Sequence, residues 1–96
     1  MSIFAVEYVY DADSAELRNE HRPAHRQWLQ QLVDEGHCLS AGAFADGAGA
    51  LLLFVAEDET GLIALLKQDP FAAVGAISGM KTTAWKPALG AFSDLS

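Results

Sequence analysis

Apolar positions along the chain switch between two-residue and helical spacing, and the switches mark out its elements. Residues 3–10, IFAVEYVY, are rich in β-branched and aromatic side chains and read as a strand. Ile3, Ala5 and Val9 fall on one face, interrupted by Glu7, and Phe4, Val6, Tyr8 and Tyr10 on the other. Both faces are therefore largely apolar. DADSAELRNE follows, with Asp13 or Ser14 as an N-cap, and predicts a short helix at about 14–20. Proline lacks an N–H and clashes with the preceding helical turn, so a longer second helix is expected to open near Pro23. It runs to about Glu35, stops at Gly36, and carries Trp28, Leu29, Leu32 and Val33 as its apolar stripe.

Residues 37–45, HCLSAGAFA, predict a strand weakened by Gly42, and DGAG at 46–49 a hairpin turn into the clear strand ALLLFVAE at 50–57. DETGLIALLKQD at 58–69 reads as a helix stopped by Pro70. FAAVGA suits a helical turn or two, and ISGMKTTAWK at 77–86 a last strand; 88–96 reads as an extra short strand or a loose tail. The order β-α-β-β-α-β is the ferredoxin-like split βαβ pattern, an α+β fold. Right-handed crossovers place both helices on one side of a four-stranded antiparallel sheet and leave the other side bare. Strands 3–10 and 50–55 are too apolar on both faces to leave one in water, so a homodimer through the sheet faces is expected.

Ninety-six residues make one domain, 1–96, and 51% hydrophobic composition strengthens the case for a dimer. A net charge of −7 with six Lys and Arg argues against a nucleic-acid partner. The start, MSIFAVEYVYDAD, lacks the basic region of a signal peptide, and GALLLFVA is far short of the roughly 20 residues that cross a bilayer. A cytoplasmic protein with no membrane contact is expected. Cys38 is alone, which rules out a disulfide framework and suits a small buried hydrophobe better than a nucleophile.

Candidate chemistry begins at HRPAHRQWL, residues 21–29. Helical spacing aligns His25 with Trp28, Leu29 and Leu32, the inward face. Placed in a first helical turn, the ring is expected to be held neutral by the helix dipole, ready to accept a proton. The plainer alternative is a buried histidine satisfied by a backbone carbonyl. His21 and His25 would share a face only if Pro23 lay inside a continuous helix, and no metal site is expected. Asp69, in the last turn of the 58–69 helix, opposes the dipole there, although Asp-Pro is also a common turn starter. An aspartate on the far nitrogen of a histidine would fix its tautomer and stabilise its charged form. Arg22 either binds an anionic substrate or is solvated. Ser40 and Gly42 are placed to line the same cleft, with Gly42 permitting close backbone approach. No Ser-His-Asp arrangement, Walker sequence or dinucleotide fingerprint is present, and no cofactor is expected.

RPAHRQWLQQLVDEGHCLSAGAF, then DPFAAVG, then a strand closing on WKP, resembles the YCII (YciI-like) family over nearly the whole chain. The most specific parts are Arg22-x-x-His25, the D-E-G-x-x-L-x-A-G run and Asp69-Pro70-Phe71. The resemblance implies a ferredoxin-like fold paired as a dimeric α+β barrel. It also implies a site pairing His25 with Asp69, with Ser40 as a neighbour. Ala43 departs from the pattern, since many members carry proline after the glycine. The resemblance further implies proton-transfer chemistry without metal or nucleotide, on a small cyclic or hydroxylated aromatic compound. His25 would relay the proton, Asp69 would orient it, and Phe71 or Trp28 would wall the pocket. The competing readings are a non-catalytic protein that binds a small ligand and a cofactor-free monooxygenase of the related barrel type.

Overall fold

Alternation of side chains about an extended backbone places β1 (Ser2–Val9) at the middle of the molecule, with Phe4, Val6 and Tyr8 buried beneath the helices. The computed structural model describes residues 1–95. After β1 come a 3₁₀ turn (Ala12–Ser14), α1 (Ala15–Asp34), β2 (Cys38–Ala43), β3 (Gly49–Ala56) and α2 (Glu59–Leu66). A one-turn helix, α3 (Pro70–Ala73), then leads to β4 (Gly79–Trp85). The sheet order is β2-β3-β1-β4 with every neighbouring pair antiparallel, the ferredoxin-like arrangement expected from the order of elements. The tail holds a 3₁₀ turn (Ser93–Leu95) and no strand among the described residues.

In β3, Ala50, Leu52 and Phe54 join the core with Leu32, Leu62 and Leu66 from the helices. Leu51, Leu53 and Val55 alternate onto the opposite face, opposite Glu7, Ala5 and Ile3 of β1. That face keeps Leu51 39% and Trp85 40% exposed, so the bare apolar side predicted from the pattern is present in the chain by itself. Gly49 is less a turn residue than a contact point. A Cβ there would lie 2.1 Å from the Tyr8 carbonyl oxygen, so only glycine lets β3 pair with β1 at the level of Tyr8.

Helix α1 corrects the expectation of two helices split at Pro23, which lies inside one continuous helix. An interior proline costs about 3 kcal/mol through its missing N–H and its clash with the preceding turn. Packing on both sides of the proline outweighs that loss, because Arg18, His25 and Leu32 are all buried on the same helix. The Arg18 guanidinium lies 4.5 Å from the Tyr10 ring centroid and donates to the Asp11 carbonyl (3.2 Å) and Ser14 Oγ (2.8 Å). These contacts tie the turns before Pro23 to the end of β1. His25 therefore sits mid-helix rather than in a first turn, beyond the reach of the helix dipole, which fades within the terminal turn.

Asp69 also differs from expectation. α2 ends at Leu66, and Asp69 is the N-cap of α3, with its side chain accepting from the Phe71 N–H. The Asp-Pro pair opens a helix rather than closing one, since proline is tolerated at the first helical position and a carboxylate favours the N-terminal end.

Candidate active site

The site is assembled where β1, the middle of α1 and the start of α3 meet. Asp69 is fully buried, with 0% exposure, in a protein that has no cation placed to form a conventional salt bridge with it among the described residues. Its charge is met by three donors instead. Oδ1 accepts from His25 Nδ1 at 2.7 Å and from the Phe71 N–H at 2.9 Å, and Oδ2 accepts from the Tyr8 hydroxyl at 2.8 Å. A buried carboxylate left unbonded is very costly, and this set of short contacts is what permits it.

Because an ionised carboxylate can only accept, the neutral tautomer that fits this contact carries its proton on Nδ1, which leaves the lone pair on Nε2. The Phe71 ring is stacked on the imidazole, with centroids 3.9 Å apart and planes within 4°, and Trp28 lies 6.4 Å away. Hydrogen bond and stacking together fix both position and plane of the ring. Nε2 has no protein partner and is not sealed from solvent; it opens onto a cavity of about 350 Å³. The alternative of a core histidine satisfied by a carbonyl is not what the chain adopts.

The cavity is walled by Tyr10, Leu29, Leu52 and Phe71, with Arg22, Arg26 and Gln30 from α1 and residues 41–43 from β2. The Tyr10 ring meets Phe71 edge-on at 6.0 Å. Burial, and then the negative charge of Asp69, push the Tyr10 phenol upward, which keeps it protonated at neutral pH.

Of the residues singled out in the sequence, His25, Asp69, Arg22, Gly42 and Phe71 come together around this cavity. Ser40 does not. Its register partner is Leu53, which puts its side chain on the sheet face away from the helices, after a bulge between Cys38 and Ser40 shifts the alternation. His21 does share a helical face with His25 now that α1 is continuous, yet no group of three or more His, Cys, Asp or Glu among the described residues could hold a metal ion.

Tyr8 is the residue that reading the sequence missed, although a signal was there. Tyr8 and Tyr10 lie on the helix-facing side of β1, and a buried phenol needs an acceptor. Tyr8→Phe leaves Asp69 Oδ2 buried without its donor and should lower stability by about 1–3 kcal/mol in urea denaturation at neutral pH. Burial first, and the nearby Asp69 second, raise the Tyr8 phenol far above its ordinary value. The unfolded chain therefore gives up this proton from about pH 10 while the folded chain holds it, so stability is full below that pH and falls as pH rises past it. The alkaline fall should be shallower in Tyr8→Phe. An unchanged slope would show that Tyr8 does not carry it.

Cys38 is 2% exposed, and burial pushes its thiol upward, away from the reactive thiolate. A Cys38→Ala protein should fold and keep any activity of the wild type, and the native thiol should react slowly with thiol reagents. Loss of activity with the fold intact would assign the thiol a role that its burial argues against.

The sequence signature of the YCII-related domain matches residues 3–86. The chain belongs to that family. A search of the curated proteins finds no match. Among solved structures, the chain is similar to the 5-chloro-2-hydroxyhydroquinone dehydrochlorinase of Burkholderia phenoliruptrix AC1100, determined in complex with 2,5-dihydroxybenzoquinone. The TM-score is 0.77 at 20% identity, covering 88% of this chain and 93% of that one. A Nitrosomonas europaea protein provisionally assigned as an antibiotic biosynthesis monooxygenase matches with a TM-score of 0.61 at 14% identity, over 93% of this chain and 100% of that one. A similarly assigned Bacteriodes thetaiotaomicron protein matches with a TM-score of 0.61 at 12% identity, over 94% and 91%. At these identities the likeness establishes the fold alone, the ferredoxin-like α+β arrangement. No helix among the described residues is long and apolar enough to cross a membrane.

Proposed function

We propose that this YCII-related protein is a cofactor-independent proton-transfer enzyme, of lyase or isomerase type, acting on a small cyclic or hydroxylated aromatic compound. The observation that carries the reading is the 2.7 Å contact from Asp69 to His25 Nδ1, with the free Nε2 at the wall of the cavity. A substrate C–H or O–H proton passes to Nε2, which turns the imidazole into imidazolium. Asp69, already bonded to Nδ1, stabilises that charge, and the proton then returns to a different substrate atom or to a departing group. Phe71 and Tyr10 supply flat apolar walls, and Gly42, which pairs with Leu51 and so faces away from the helices, contributes only backbone to the cavity. The dehydrochlorinase fold supports a lyase on a hydroxylated ring. The likeness to monooxygenase-type proteins favours a cofactor-free oxygenation as the second reading.

The same reading includes a homodimer formed through the open sheet faces, supported by the exposed Leu51 and Trp85 there.

The test is a thermal-shift screen of hydroxyquinones, catechols and lactones, followed by turnover assays on the hits with wild type and His25→Ala. Turnover that drops by about 10²–10⁴-fold in the variant is the expected result. Turnover that survives the substitution overturns the assignment of His25. Stabilisation by a compound that is never converted points to a ligand-binding protein, and product formation only with oxygen present points to the monooxygenase.

A further inference from the structure

The chain carries 13 Asp and Glu against six Lys and Arg, a net charge of −7, so its surface as a whole repels anions. The cavity does not follow the surface. All three arginines of the chain, Arg18, Arg22 and Arg26, recur at four-residue spacing along α1, a stripe that exists because Pro23 is accommodated within one helix. Arg22 and Arg26 line the cavity itself, and no Asp or Glu does. Like charges four apart on a helix oppose its formation, so this spacing brings no local structural gain.

Neither cavity arginine forms an ion pair with a carboxylate of the protein among the described residues. Arg22 is held by a neutral partner, with Nη1 donating to Asn19 Oδ1 at 2.5 Å, which orients the guanidinium without cancelling its charge. Asp69, the carboxylate of the site, is buried and has its oxygens taken by three donors. Two planar forks without a carboxylate partner therefore border a cavity whose other walls are mostly aromatic or aliphatic, with His25 and Gln30 as the polar exceptions.

We propose that the cavity takes a small planar ring compound bearing a carboxylate, with the carboxylate held by Arg22 and Arg26 and the ring against Phe71 and Tyr10. The inference rests on the proton-transfer reading for its chemistry but not for its binding. A carboxylate anchored at the arginines sets one edge of the ring toward His25 Nε2. When Nε2 takes a proton, the negative charge left on the ring is stabilised by the same two guanidinia, so the group that binds also favours the step. The volume of about 350 Å³ has room for a single ring with its substituents.

The experiment is an NMR titration of the intact protein with benzoate and with its neutral isostere benzamide, in wild type and in the Arg22→Gln, Arg26→Gln double variant. Benzoate should perturb the amides of α3 and the middle of α1, bind at least about tenfold more tightly than benzamide, and weaken as salt rises. The double variant should lose about tenfold or more in benzoate affinity while benzamide binding stays unchanged, which also shows that the cavity is intact. Equal binding of the two probes, benzoate affinity undiminished in the double variant, or no benzoate binding overturns the proposal. The His–Asp pair is tested separately, by the ring nitrogens of His25 without any ligand. Arginine-dependent benzoate binding with no His25–Asp69 coupling would retain the anion site and reject the proton-transfer reading, and the reverse pair of results would reject the anion site alone.

Discussion

Asp69→Asn is expected to yield a folded protein in which the His25 ring has lost its fixed tautomer and most of its catalytic value. Asparagine has the shape of aspartate but only one accepting oxygen, and Asp69 Oδ1 serves both the Phe71 N–H and His25 Nδ1, so an amide turned to donate to His25 gives up the cap on Phe71 while buried Phe71 keeps α3 packed. Its amide also presents donors, and a donor facing His25 Nδ1 favours the ring that carries its proton on Nε2. Such a ring has no lone pair toward the cavity. The neutral side chain also cannot stabilise the imidazolium formed in proton transfer. Stability should fall by about 1–3 kcal/mol, since a charge-assisted hydrogen-bond set becomes a neutral one. Turnover should fall by about 10²–10⁴-fold. Because a residue that orients another has nothing left to do once its partner is gone, Asp69→Asn should add little to His25→Ala. Nitrogen-15 spectra of the imidazole read the effect without a substrate. The wild type should show a protonated Nδ1 and an unprotonated Nε2, and the variant a reversed or mixed pattern. Identical spectra in the two proteins would mean that the 2.7 Å contact does not govern the ring.

Leu53→Asp is expected to convert the proposed dimer into a folded monomer. Leu53 lies on the sheet face away from the helices, between Leu51 and Val55 along β3 and opposite Ala5 of β1. In an isolated chain that position reaches water, where an aspartate is tolerated. Pressed against a second copy of the sheet, the same carboxylate would be buried without a partner, at a cost of several kcal/mol. The wild type should sediment as a dimer at micromolar concentration, and the variant as a monomer with an unchanged circular-dichroism spectrum. A wild-type monomer would remove the dimer from the proposed function, and a Leu53→Asp dimer would move the interface to another surface. Val9 is the corresponding position on β1, 53% exposed on that face, whereas Val6 is fully buried against the helices and would report on folding instead.

Much of this was legible in the chain because local periodicity is written locally. Two-residue alternation in IFAVEYVY and GALLLFVA assigns the strands and predicts two apolar faces, since successive side chains of a strand must point to opposite sides. Gly36, with φ of +83°, ends α1 where expected, because its conformation is one that side chains disfavour. His25 stood out by its spacing from Trp28, Leu29 and Leu32, and Asp69 by its place before a proline and by family resemblance.

What lay beyond the sequence mostly involves partners distant along the chain. Pro23 was read by the local rule that proline opens helices. The contacts of Arg18 with Tyr10, Asp11 and Ser14 that help hold the helix through it reach back only four to eight residues, but they depend on how the chain turns from β1 into α1. Ser40 was read into the cleft from the LSAG stretch and the family resemblance, and a bulge in β2, which no residue type announces, turns it to the other face. Asp69 meets His25 across 44 residues and Tyr8 across 61, and neither separation has a spacing rule. The sequence by itself determined the elements, their order and the two residues worth watching. The tertiary structure alone decided that the aspartate is buried, that a tyrosine shares it, and that two unpaired arginines face the same cavity. Hydrophobic periodicity acts between neighbours in sequence, whereas a buried charge survives only where packing brings enough donors to it at once.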